Sequence, residues 1–178
     1  IPALCFKDQK SLANVEYSGI AVVTVEIAIM NALRQAGIRP QANCGINMGY
    51  YSAMFASGAM AIGDAFRLVR KLGIYMQEAF PTGGAIARIT GLHEKTLTRL
   101  VEKAGGRAYI CEYDCPDQMV VSGEKAPVKE VVRLAQAEGA ERAAYRSISL
   151  PYCTELMKSA EYRMEAALET VEFNFFKI

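Results

Sequence analysis

After Pro81-Thr82-Gly83-Gly84 the hydrophobic period changes, and the order of short elements that follows constrains the fold more than any other feature of the chain. Residues 84–90 read as a strand, 94–104 as a helix, 107–113 and 117–122 as two strands, 125–138 as a helix and 141–147 as a strand. This is β-α-β-β-α-β, the ferredoxin-like arrangement, with Asp114-Cys115-Pro116-Asp117 as the turn between its central strands. Upstream, Val23, Ile27, Met30 and Leu33 recur at threes and fours along a helix from Ile20 to Ala36, and Gly37 stands where a C-cap belongs. A second helix over 62–79 carries Phe66, Val69, Leu72 or Gly73, and Met76 on one side. Between the two, Pro40 forces extended chain. Residues 41–46 read as a short strand, and Gly45-Ile46-Asn47-Met48-Gly49 turns into a helix bearing Tyr51, Met54 and Phe55. A helix from Cys153 to Glu169 and a strand-like Phe173–Phe176 close the chain. The expected class is α/β, with a ferredoxin-like subdomain at 83–147 inserted between two parts, 1–82 and 148–178, of a larger domain.

Composition narrows the function. With 178 residues and 52% hydrophobic content the chain can form a core without disulfides. Twenty Lys+Arg against 19 Asp+Glu leave a net charge of +1, too little for a nucleic-acid footprint. Glu16, Glu26 and Arg34 interrupt the longest apolar stretch, so no membrane span is expected. Five scattered cysteines (Cys5, Cys44, Cys111, Cys115, Cys153) read as reduced thiols and point to the cytoplasm. Cys111 and Cys115 lack further ligands for zinc, and neither a metal nor a cofactor is implied.

A strand followed by G-x-N-x-G and a helix has the spacing of the nucleophile elbow G-x-S-x-G. The elbow residue here is Asn47, which tolerates the left-handed backbone of such a turn. An amide, however, has no hydroxyl proton to surrender to a base, so it cannot serve as that nucleophile.

Several segments in matching order make the sequence similar to the malonyl-CoA:acyl carrier protein transacylases of fatty-acid and polyketide synthesis. Gly45-Ile46-Asn47-Met48-Gly49-Tyr50-Tyr51-Ser52-Ala53 resembles the family's G-H-S-L-G-E-Y-S-A, and Asp64 through Ala79 its next helix. Cys115-Pro116-Asp117-Gln118-Met119-Val120-Val121-Ser122-Gly123 resembles S-P-G-Q-V-V-I-S-G. Ile148-Ser149-Leu150-Pro151-Tyr152-Cys153 falls where the family has a segment ending in its catalytic His. The resemblance implies an α/β-hydrolase-like larger domain around the ferredoxin-like insertion. It also implies acyl-CoA and an acyl carrier protein or synthase subunit as partners.

Carried over residue by residue, the same resemblance vacates the chemistry. The nucleophile position is Asn47, the catalytic His position Cys153, and the position of the Arg that pairs with the malonyl carboxylate Leu72. Ile46 replaces the His beside the nucleophile and Tyr50 the Glu after it. The backbone N–H of Met48 remains as an oxyanion donor. Loss of a nucleophile or base from a Ser-His unit costs on the order of a millionfold in kcat, so a catalytically inactive acyltransferase-like subunit or domain is expected. The alternatives are an active acyltransferase or thioester hydrolase using Cys153 or residues outside this chain, and an incomplete or misread portion of an ordinary transacylase. Cys153 would need a base or a cation to become a thiolate. The sole His, His93, sits in Gly91-Leu92-His93-Glu94 and reads as a surface turn residue. Gly83-Gly84 reads as a hinge, and Arg67, Arg70 and Lys71 as a solvated helix face.

Overall fold

The computed structural model describes residues 1–8 and 10–175. In chain order it contains α1 (Pro2–Phe6), a 3-10 turn (Ser11–Ala13), α2 (Val15–Gln35), α3 (Gly49–Ala56), α4 (Ile62–Ala79), β1 (Gly84–Thr90) and α5 (Glu94–Ala104). There follow β2 (Ala108–Cys115), β3 (Gln118–Glu124), α6 (Lys125–Ala137), β4 (Arg142–Tyr145), a second 3-10 turn (Glu155–Met157) and α7 (Lys158–Leu168). The chain divides into two compact units, one made of Ile1–Tyr75 with Glu161–Ile178 and the other of Met76–Ala160.

The second unit holds the only sheet among the described residues, ordered β2-β3-β1-β4 with every neighbouring pair antiparallel. The pleat sends Ala85, Ala87 and Ile89 of β1 and Met119 and Val121 of β3 to one face. There they meet Leu97 and Leu100 of α5 and Val128 and Val131 of α6 in one contiguous core. α5 starts at His93, whose ring accepts from the Lys95 N–H at 3.4 Å, so this exposed histidine is a cap. A bulge at Cys111 shifts β2 by one residue against β3.

The first unit has helices joined by turns and irregular segments, and no strand, among its described residues. Asn14 caps α2 through a 2.9 Å bond from the Glu16 N–H, which starts this helix five residues before the apolar stripe suggested. α2 crosses α4 at glycines. A Cβ on Gly73 would lie 2.5 Å from the Glu16 Cα, and one on Gly19 would lie 2.9 Å from Val69 Cγ1. Val23, Ile27 and Val69 form the buried seam between them, flanked by Met48 and Phe66. A second cluster joins Ala65 and Leu68 of α4 to Met164 and Ala167 of α7.

Three expectations are corrected here. Residues 41–46 are not a strand, since no partner strand exists in this unit among the described residues to take their hydrogen bonds. The helix expected from Cys153 begins as a 3-10 turn at Glu155 and becomes α7 only at Lys158, because Cys153 has φ +54°, which no α-helix accommodates. Residues 173–175 form no strand, and Phe176 lies outside the described residues. By length and composition alone the 21-residue α2 could cross a bilayer, a test that the core helix of a soluble protein also passes, so the expectation of no span is not overturned. Its Val23 and Ile27 are spent on packing against Val69, and its Glu26 on a hydrogen bond to Ser52.

Candidate functional site

The turn 45–49 is built by close approach. A Cβ at Gly45 would lie 2.1 Å from the Gly49 carbonyl oxygen, so only glycine lets the chain double back here. Asn47 then takes φ +53°. The Gly49 N–H bonds Ile46 O at 3.0 Å and the Tyr50 N–H bonds Asn47 O at 3.2 Å, carrying the turn directly into α3. Asn47 and Cys153 are the only non-glycine residues with positive φ among those described. A strained backbone of this kind costs on the order of 1–3 kcal/mol and persists where surrounding structure over-determines it.

Around Asn47, Ile46 and Tyr50 are exposed. The Met48 N–H donates to no backbone carbonyl among the described residues. α3 is held to α2 by Arg34, which donates to Ala56 O at 2.7 Å, and by Ser52 Oγ, which donates to Glu26 Oε2 at 2.5 Å. The Glu26 carboxylate also lies 3.7 Å from where a Cβ of Gly49 would stand, beside the positive end of α3. Leu72 packs against the cluster of Met60, Leu68 and Met164, so its side chain belongs to the core of the helical unit.

Cys153 lies in the other unit, at the end of a polar network that sequence reasoning missed. Arg146 Nη2 pairs with Glu112 Oε2 at 3.0 Å and Arg146 Nη1 donates to the Tyr152 hydroxyl. The Tyr152 N–H bonds Leu150 O at 2.8 Å and Thr154 Oγ1 bonds Pro151 O at 2.5 Å, so the loop carrying Cys153 is tied on both sides. Nothing here favours a thiolate. Burial pushes the Cys153 thiol up and the Glu112 carboxylate adds to it. Cys111 is pushed up to about 12 by burial, with Glu112 and Cys153 adding. Burial likewise raises the Tyr152 hydroxyl. For Arg146 burial opposes the charge, but Tyr152 and Glu112 outweigh it and hold the guanidinium protonated. No local signal in the sequence links Glu112 to Arg146. No group of three or more His, Cys, Asp or Glu placed to hold a metal occurs among the described residues.

Residues 3–178 match the model of the acyl transferase domain. The chain belongs to that family. It is 35% identical over 156 residues to the malonyl CoA-acyl carrier protein transacylase of Bacillus subtilis, covering 85% of this chain and 49% of that protein. It is 33% identical over 158 residues to the enzyme of the same name from Escherichia coli K12, covering 86% and 51%. The chain thus spans about half the length of the curated relatives it matches. Among solved structures, the malonyl CoA-acyl carrier protein transacylase of Coxiella burnetii matches with TM-score 0.91 and 30% identity over 97% of this chain and 56% of that one. A malonyl-transacylase solved in complex with its type II polyketide synthase acyl-carrier protein matches with TM-score 0.89 and 30% identity over 96% and 56%. These matches bear out the α/β class and the family seen in the sequence.

Proposed function

We propose that this chain is an acyltransferase-like domain that keeps the backbone of a nucleophile elbow without its chemistry and does not transfer acyl groups by a Ser-His mechanism. The observation that carries the proposal is the turn at Gly45–Gly49: its left-handed residue and a Met48 N–H that donates to no backbone carbonyl among the described residues are present, but its side chain is the amide of Asn47. Cys153 at the general-base position offers a thiol that its surroundings keep protonated, and Leu72 at the carboxylate-binding position offers an apolar side chain in a core. In this reading 83–147 is a ferredoxin-like subdomain inserted in an α/β-hydrolase-like domain formed by 1–82 and 148–178 with further sheet-forming chain. The strand order β2-β3-β1-β4 and the strand composition of 41–46, which has no pairing strand among the described residues, support it. The domain acts in the cytoplasm as a non-catalytic subunit that binds an acyl carrier protein or a synthase subunit, as the complexed neighbour supports.

The test is intact-mass measurement after incubation with malonyl-CoA and acetyl-CoA, for the parent chain and Cys153→Ala. No acyl adduct on either protein is the expected result. An adduct on the parent that Cys153→Ala abolishes overturns the proposal in favour of a thiol acyltransferase or hydrolase. A longer natural reading of the same gene carrying Ser at 47 and His at 153 would instead make this an imperfectly read portion of an active transacylase.

A further inference from the structure

The sheet of the Met76–Ala160 unit ends on β4, and the outer side of that strand is open backbone. The Arg146 N–H bonds Ile86 O at 2.9 Å, and the register pairs Tyr145 with Ala87 and Ala144 with Arg88. Antiparallel strands turn the backbone groups of alternate residues to opposite sides. Arg142, Ala144 and Arg146 therefore face β1, while the N–H and C=O groups of Ala143 and Tyr145 point outward. On that side neither residue bonds another backbone segment among the described residues. Two donors and two acceptors in a row are a template for one more strand.

Room for side chains lies on both sides of this edge. A cavity of about 220 Å³ is lined by Arg142 and Ala144, which share the sheet face away from α5 and α6, and one of about 250 Å³ by Lys125 and Lys129 of α6. Tyr145 lines both. Successive side chains of an added strand point to opposite faces, so neighbouring residues of one extended segment reach the two cavities in turn. Both cavities are cationic. Arg88 and Arg146 are paired with Asp114 and Glu112, whereas Arg142, Lys125 and Lys129 form no ion pair among the described residues. Against these three cations stands Glu141, packed beside Gly91 where the strand begins.

The same charges speak against a second copy of this chain. In the register that pairs Ala143 with Tyr145 of a copy, Arg142 would stand opposite that copy's Arg146, and like charges directly opposite are destabilising. We propose that β4 takes an extended, acid-rich segment of a partner polypeptide as a fifth strand. Its main chain bonds Ala143 and Tyr145, and its carboxylates reach Arg142 on one face and Lys125 and Lys129 on the other. This docking uses no acyl chemistry and stands apart from the functional reading above.

Fluorescence anisotropy with three labelled peptides separates main-chain pairing from charge. The first repeats Thr-Glu-Glu-Val, the second has Lys for every Glu, and the third is the first with its central amides N-methylated. Only the first is expected to bind well, with the N-methylated form weaker by about tenfold or more because its donors are gone while its charge is kept. A loss of about tenfold is also expected in Arg142→Ala and in the Lys125→Ala/Lys129→Ala double variant, and none in Lys7→Ala. These residues are exposed, so melting temperatures should match the parent. Ala143→Pro removes one outward donor at a position where an edge strand tolerates proline, and should weaken binding likewise. If that variant unfolds, the N-methylated peptide still decides the matter on the parent protein. Amide exchange at Ala143 and Tyr145 should slow when the first peptide binds, with Ala144 and Arg146 already protected. Equal affinity for the N-methylated and unmodified peptides, no binding of either, or unchanged exchange at Ala143 and Tyr145 overturns the proposal. So does a folded acyl carrier protein that binds through Arg142, Lys125 and Lys129 where the peptide does not. Self-association abolished by Ala143→Pro would give the edge to a second copy and overturn it as well.

Discussion

The two units solve the same packing problem differently. In Met76–Ala160 four strands pair with one another and two helices cover one face, so Leu97, Met119, Val121, Val128 and Val131 are all fully buried in a single core. In the helical unit the described residues form two separate small clusters, and Val22, Val25, Ile29 and Leu33 run along an exposed face of α2. Segment 41–46 forms no strand and makes no ladder pairing among the described residues. One unit closes on itself, and the other presents an apolar face and open backbone, the form of half a layered α/β structure.

The largest expected effect comes from the closed core. Leu97→Ala should destabilise the Met76–Ala160 unit by about 2–5 kcal/mol in chemical denaturation, since a fully buried leucine leaves a cavity. A loss below about 1 kcal/mol, the size expected where no buried packing is removed, would break the contrast. Next, Gly73→Ala should cost the helical unit about 1–3 kcal/mol by pushing α2 from α4, read as faster amide exchange in both helices with the sheet amides unchanged. Smaller still, Ile29→Lys should change the stability of the chain alone by no more than about 0.5 kcal/mol, because that side chain is 56% exposed. A large loss would mean that the α2 face is already covered in solution, by a second copy or by another segment.

Thiol titration sharpens the comparison from the other side. Alkylation of Cys153 should follow a midpoint above the ordinary thiol value, and Glu112→Gln should lower it by removing the like charge. A midpoint below the ordinary value would revive thiol chemistry. For Cys111 the folded state holds the proton more tightly than the unfolded state, so the stabilisation is whole below the ordinary thiol value of 9.0 and is lost as pH rises toward about 12. Melting temperature should fall between these limits, and Cys111→Ala should flatten that fall.

The closed unit was legible because its elements are local: each alternates or recurs within ten residues and is bounded by glycine or proline. The β-α-β-β-α-β order and the bounds of α4, β1 and α5 follow from period alone. The failures lie where the partner is distant or missing. Residues 41–46 have strand composition, but a strand exists only by pairing. Cys153 lies in a sequence that reads as the start of a helix, but it takes φ +54° in a loop tied by the Tyr152 N–H to Leu150 O and Thr154 Oγ1 to Pro151 O bonds, and the nearby Arg146–Glu112 pair joins positions 34 apart with no shared period. The elbow fell in between. G-x-N-x-G marked the turn, and the overlap of a Gly45 Cβ with Gly49 O explains its spacing.

That overlap also bears on how far the chain stands from activity in mutational space. Because the bend is enforced by Gly45 against Gly49, it does not depend on which side chain sits at 47. Codons for asparagine and serine differ by a single base, and so do codons for leucine and arginine. The bend that would carry a reactive hydroxyl is therefore present at position 47, whereas Leu72 is packed against the helical unit's core and position 153 is the harder step back, since cysteine and histidine codons differ by two bases.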